Sequence, residues 1–188
     1  MQERPMLDTT RLVLRPFTMA DAPEVQRLAG AREIASTTLR IPHPYTTAMA
    51  EAWISTHQEA YERGELANFA IVRRLDQGLI GCIGLHIDPH HVHAEMGYWI
   101  GVPFWSHGYC TEAAQAVIQY GFEVLSLHRI HASYMARNPA SGRIMQKIGM
   151  TYEGCLRQHI QKWGVFEDIV VYGILQSEYA GLHCAGRA

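Results

Sequence analysis

No run of the sequence approaches 18 consecutive apolar residues, so a membrane-spanning helix is not expected. Nor is there a block or stripe of Lys and Arg. Sixteen basic residues stand against 18 acidic ones, a formal charge of −2, which argues against a sequence-independent grip on nucleic acid. The opening Met1-Gln2-Glu3-Arg4-Pro5 lacks the apolar core of a signal peptide, and the cytoplasm is the expected location. The four cysteines, at 82, 110, 155 and 184, form no CxxC pair. A cysteine zinc site is therefore not indicated, and reduced thiols are expected. GxxxxGK[ST] and GxGxxG are both absent, which disfavours a nucleoside triphosphatase and a dinucleotide dehydrogenase. Internal repeats and low-complexity tracts are missing too.

What is present fits one domain over residues 1–188, with a core of about 8–176 and a tail over 177–188. The chain is 48% apolar and 18% charged, and a chain of this length buries roughly 70% of its unfolded surface without disulfides or a structural metal. Arg11 to Phe17 reads as a first strand. Thr18 and Asp21 resemble a capping box, opening a helix over about 19–30 with Ala22, Val25, Leu28 and Ala29 on one stripe. Pro42 and Pro44 keep residues 38–45 out of a regular helix. A second helix is expected over about 47–64, ended by Gly64. Three strands follow, at 68–74, 79–87 and 94–102, the first two joined by an Asp76-Gln77-Gly78 turn. A helix over about 111–125, a strand at 129–134, a helix at 139–148 and strands at 151–159 and 166–175 complete the order. A central strand–helix–strand unit flanked by hairpins implies an α/β fold of mixed (α+β) type, with helices on both faces of a mixed sheet.

The main chemical signal is a strand, a tight turn and a helix start, from Gly97 to Ala113. A helix start leaves about four N–H groups unpaired and carries partial positive charge. Gly108 lets the backbone close on an anion, and Ser106, His107, Gly108, Tyr109 and Cys110 would aim amides inward at a pyrophosphate. The plain alternative is a glycine in an ordinary strand-to-helix loop. At Arg137-Asn138-Pro139-Ala140-Ser141, Asn and Pro make a good helix start, while Ser141 on the first turn is free to face the same cleft. Lys147 and Gly149 read as a normal helix ending.

Together these residues resemble the GCN5-related N-acetyltransferase (GNAT) superfamily, whose turn [QRW]-x-x-G-x-[GA] is matched by Trp105-x-x-Gly108-x-Cys110. Ala94-Glu95-Met96-Gly97-Tyr98-Trp99-Ile100-Gly101, Gly108-Tyr109-x-Thr111-Glu112-Ala113, Asn138-x-x-Ser141, Lys147-x-Gly149-Met150 and Glu153-Gly154 resemble its ribosomal-protein N-acetyltransferase-like branch. Thr10 to Arg15 and Asp168-x-Val170-Val171-Tyr172 fit it as well, so the likeness runs from about residue 8 to 176. The resemblance implies a single twisted mixed sheet of about seven strands, splayed between the fourth and fifth. It implies acetyl-CoA as co-substrate, no metal, and a primary amine as acceptor, either a protein N-terminus or a small molecule. The pantetheine arm would lie on the main chain of Ile100 and Val102 and on Asn138. The pyrophosphate would lie on the amides of Trp105 to Cys110 and on Thr111, with Ser141 also at the cofactor. A homodimer is the assembly that the resemblance suggests.

Three positions depart from the family pattern. Cys110 replaces a usual Gly or Ala. His107 stands where Lys or Arg is common and adds less charge at pH 7. Met145 replaces a general-acid Tyr, which throws that role onto Ser141 or solvent. Glu95 is the candidate base, acting directly or through water, because an acceptor amine is mostly protonated at pH 7; the plain reading is a solvated strand carboxylate. A main-chain N–H near Ile100 would polarise the thioester carbonyl. His90, His91 and His93 read as a polar turn before a metal site. Trp53, Trp99 and Trp163 are core residues or acceptor-pocket walls. Glu51, Glu59 and Glu62 are the acidic residues that a small-amine pocket would use. A non-catalytic acyl-CoA-binding sensor is the alternative of a different class.

Overall fold

The computed structural model describes the backbone of residues 3–184 and side chains through residue 181. Eight strands form one sheet: β1 (Leu7–Asp8), β2 (Leu12–Arg15), β3 (Leu66–Arg73), β4 (Leu79–Asp88), β5 (His93–Ile100), β6 (Arg129–Met135), β7 (Thr151–Lys162) and β8 (Val165–Leu175). Their order across the sheet is β1-β2-β3-β4-β5-β6-β8-β7. Every neighbouring pair is antiparallel except β5 and β6. That parallel step needs a crossover, which the helix α5 (Tyr109–Glu123) supplies.

β3 and β4 lie mid-sheet and are apolar on both faces, as in Phe69-Ala70-Ile71-Val72. One face meets α5 and α6 (Pro139–Lys147), burying Phe69, Ile71, Ile83, Leu85, Val117, Ile118 and Ile130. The other meets α1 (Ala22–Ala29) and α3 (Thr47–Ser55), burying Ala70, Val72, Cys82, Trp99, Val25 and Leu28. Each large side chain buried in this way contributes roughly 1.5–3 kcal/mol.

The Thr18–Asp21 capping box is present; it opens a 3-10 turn over Met19–Asp21 before α1, and Arg15 holds Asp21 with two bonds of 2.8 and 2.7 Å. The expected second helix is divided at Thr56 into α3 and α4 (His57–Glu62), because the Thr56 hydroxyl turns back to the Trp53 carbonyl at 2.8 Å. Three elements were not expected from the sequence: the strand β1, the helix α2 (Arg32–Thr37) and the helix α7 (Gln176–Cys184), which stands where a fraying tail was anticipated. Tyr179 explains α7: it packs its ring on Phe122 and donates its hydroxyl to Glu123 at 2.8 Å. Cys82, Cys110 and Cys155 are free thiols. No helix among the described residues is long and apolar enough to cross a membrane.

Candidate active site

The site forms where β5 and β6 part. Their pairing joins His93 to Arg129, Ala94 to Ile130 and Glu95 to His131, and ends there. β5 runs on to Ile100 against β4, and β6 runs on to Met135 against β8. From Met96 to Ile100, β5 therefore keeps an unpaired edge. The Gly101 N–H donates to the Ile80 carbonyl at 2.8 Å, which turns the Ile100 carbonyl away from β4 and into the gap. Alternation along the strand sends the N–H groups of Ile100 and Tyr98 the same way. The gap opens into a cleft of about 980 Å³.

One end of the cleft is the turn before α5. The indole N–H of Trp105 donates to the Ile100 carbonyl at 2.6 Å, and the Trp105 amide closes on the Val102 carbonyl at 3.3 Å. The Ile100 and Val102 carbonyls and the Trp105 amide are thus bonded within the protein, leaving the Ile100 N–H at the gap. Ser106 (φ 65°) and Gly108 (φ 78°) both take left-handed conformations, at a cost of roughly 1–3 kcal/mol for Ser106. The amides of Ser106, His107 and Gly108 meet no acceptor among the described residues. Those of Tyr109, Cys110 and Thr111 open α5, where no intrahelical partner exists. Such a nest of N–H groups suits a diphosphate, and an ordinary connecting loop does not need it.

Arg11 braces this turn. It donates to the His107 carbonyl at 2.9 Å, to Glu112 at 2.6 Å, and lies 4.8 Å over the Tyr109 ring. The His107 Nδ1–H donates to the Trp105 carbonyl at 2.7 Å. Lys147, read from the sequence as a helix ending, flanks Gly108 and Thr111 and supplies a cation beside the turn. Cys110 contributes only its backbone: its side chain is buried, and burial pushes the thiol up to about 12.

Helix α6 forms the wall across the gap. Asn138 precedes it, yet its side chain makes no capping bond and lines the cleft, so a plain cap does not account for it. Ser141 is 9% exposed. Its Oγ lies 2.8 Å and its carbonyl oxygen 3.2 Å from the Tyr98 hydroxyl, both within reach of the phenol proton. Met145 is core, 1% exposed.

The opposite chamber holds Glu95. It accepts from the Ser133 hydroxyl at 3.2 Å, and Arg40 stands 3.9 Å away. Arg40 also approaches His86 at 3.4 Å. Burial first, then Arg40, lowers the His86 pKa, while Glu95 works the other way. Trp53, Met49, Ile41, Tyr45, Met135 and Ile169 add apolar walls. Trp53 stands edge-on to His57 at 4.4 Å. Trp163 lies outside the cleft, half-exposed against Arg32. Glu51, Glu59 and Glu62 do not line it; Glu59 pairs with Arg63 at 2.6 Å. Sequence reasoning missed Arg40, which sits in an aperiodic Pro-rich stretch, and Tyr98, which it noted only inside a longer motif.

His90, His91 and His93 crowd the β4–β5 turn. Asp88 accepts the amides of His90 and His91 at 3.0 and 3.1 Å, a local turn bond typical of Asp. Among the described residues no His/Cys/Asp/Glu group is arranged to hold a metal ion.

Residues 11–151 match the family model described as an acetyltransferase (GNAT) domain. The uncharacterized N-acetyltransferase YoaA of Bacillus subtilis is 34% identical over 92% of this chain and 97% of its own length. The ribosomal-protein-serine acetyltransferase of Escherichia coli is 29% identical over 60% of this chain and 62% of its own. A solved GNAT-family acetyltransferase from Bacillus anthracis superposes with a TM-score of 0.82 at 26% identity, covering 92% of this chain and 99% of that one. A ribosomal L7/L12 alpha-N-protein acetyltransferase, solved with coenzyme A, has the same fold at a TM-score of 0.84 and 18% identity, covering 91% and 98%. The parted strands, the amide-lined turn and these likenesses lead to one conclusion: the chain belongs to the GNAT acetyltransferase family and is an N-acetyltransferase.

Proposed function

We propose that the protein transfers acetyl from acetyl-CoA directly to a primary amine within a ternary complex, and that the amine is a protein or peptide N-terminus. The observation that carries this reading is the end of β5–β6 pairing at Glu95, which leaves main-chain donors open beside an amide-rich turn. The diphosphate lies on the amides of Ser106 to Thr111 with Lys147 nearby, and Asn138 takes the pantetheine arm. Glu95 accepts the amine proton, directly or through a water, and the freed lone pair attacks the thioester carbonyl. The Ile100 N–H supports the oxygen as it gains charge. Ser141 hydrogen-bonds the leaving thiolate. No covalent enzyme intermediate is required.

The acceptor reading rests on the chamber's walls. They are largely apolar, and Glu95 is the one carboxylate among the lining residues described. A polyamine brings further positive charges, which need further carboxylates to replace their water; an N-terminal amine brings one charge followed by neutral peptide. The Escherichia coli relative named for a ribosomal protein supports the same side.

The test is release of free CoA from acetyl-CoA with a panel of N-terminal peptides, amino acids, aminoglycosides and spermidine. Peptides are expected to show the highest kcat/KM, at least tenfold over spermidine, a difference of about 1.4 kcal/mol. A preference for spermidine would overturn the acceptor assignment. Tight acetyl-CoA binding with no release from any amine would overturn the transfer mechanism.

A further inference from the structure

We propose that Tyr98 is a positioning residue for acetyl transfer, holding Ser141 so that its hydroxyl proton faces the departing sulfur. This rests on the reading of Ser141 given above and adds the group that orients it.

The Tyr98 hydroxyl has one proton and two acceptors within reach, Ser141 Oγ at 2.8 Å and the Ser141 carbonyl at 3.2 Å. The carbonyl only accepts, so two arrangements exist. If Tyr98 donates to the carbonyl, Ser141 must turn its own proton back onto the phenol oxygen. If Tyr98 donates to Oγ, the shorter contact, the serine proton is free to point into the cleft that both residues line. Negative charge gathering on sulfur selects the second arrangement and polarises the two hydroxyls in series. Burial raises the Tyr98 pKa, which keeps the phenol protonated and a constant donor. The backbone around Ser141 is also fixed closely: a Cβ on Gly142 would lie 2.5 Å from the Tyr134 hydroxyl. With Met145 buried, α6 offers no phenol of its own, and the strand supplies one from the opposite side.

The bond changes balance without a proton from tyrosine. The acceptor ammonium gives one proton to Glu95, its nitrogen forms the C–N bond, and a second N–H proton passes to solvent as the adduct collapses. The C–S bond breaks with its electron pair on sulfur. The thiolate leaves with a hydrogen bond from Ser141, which keeps its proton, and takes a proton from solvent after release.

The experiment compares the wild type with Tyr98→Phe, Ser141→Ala and the double variant, using the best acceptor of the panel. It records kcat, KM for acetyl-CoA and melting temperature. Phe keeps the ring, so the fold and the acetyl-CoA KM (within twofold) are expected to hold. Loss of one hydrogen bond predicts a kcat lower by about fivefold. The double variant is expected to be no slower than Ser141→Ala alone, because Tyr98 acts through Ser141. Wild-type kcat in Tyr98→Phe beside a slow Ser141→Ala would overturn the role of Tyr98 alone. Multiplying losses in the double variant would overturn it as well, by showing that the two act independently. Full turnover in Ser141→Ala would remove the underlying reading of Ser141 and Tyr98 with it. A lowered melting temperature with raised KM and unchanged kcat would mark Tyr98 as structural.

Discussion

Glu95 occupies the last position at which β5 still pairs with β6, and this explains why a strand carboxylate enters a cleft at all. One residue further along, neighbouring backbone is replaced by open space. Its contacts with Ser133 and Arg40 orient it without closing it off, since its side chain is 40% exposed. Replacing it by Gln keeps the shape and removes the carboxylate proposed above as the base. Turnover should fall by about 100-fold, with acetyl-CoA affinity measured by calorimetry unchanged; full turnover at saturating amine would exclude Glu95 from the chemistry. The role was arguable from sequence because alternation puts residues 95, 97 and 99 on one face. Arg40 and His86 were not legible, since they come to Glu95 through an irregular segment and a cross-strand register.

The turn between β5 and α5 is the proposed seat of the acetyl-CoA diphosphate. Its geometry depends on a left-handed residue at the start of the helix, where Gly108 has φ 78°. Any Cβ there is strained and would stand 3.4 Å from the Arg11 guanidinium. A Gly108→Val substitution should therefore weaken CoA binding by at least tenfold while costing about 2 kcal/mol of stability. Calorimetric titration with CoA and thermal unfolding separate the two effects, and unchanged CoA affinity would refute the assignment of this turn. Of all the elements this one was most legible, because Trp105, Gly108 and the following helical pattern are local in sequence. What the sequence obscured was how much of the turn serves itself: the Trp105 indole takes the Ile100 carbonyl, a contact set by the turn's folded path.

Across the whole molecule the two faces of the sheet differ in their chemistry. The face under α5 is a largely apolar core, whereas the face under α1 and α3 buries His57, 1% exposed and 3.3 Å from Asn68. Burial, then Arg4 and His86, lowers its pKa to about 4. The folded state therefore resists a proton that the unfolded chain takes up at a pKa near 6.5. Stability from this residue is complete above about pH 7 and falls as pH drops towards 4, by about 3 kcal/mol. Thermal unfolding between pH 7 and 4 should show a shallower loss in His57→Leu than in the wild type; parallel curves would exclude His57 as the source. By itself the sequence determined the main strands and helices, the turn at Gly108 and the family, because each depends on spacing within a few residues. Only the tertiary structure decided that β5 and β6 part at Glu95, that Tyr98 meets Ser141 across 43 positions, and that acidic side chains on α3 and α4 stay outside the cleft. Those outcomes depend on register and packing between distant segments, and the periodicity of any one segment carries no information about them.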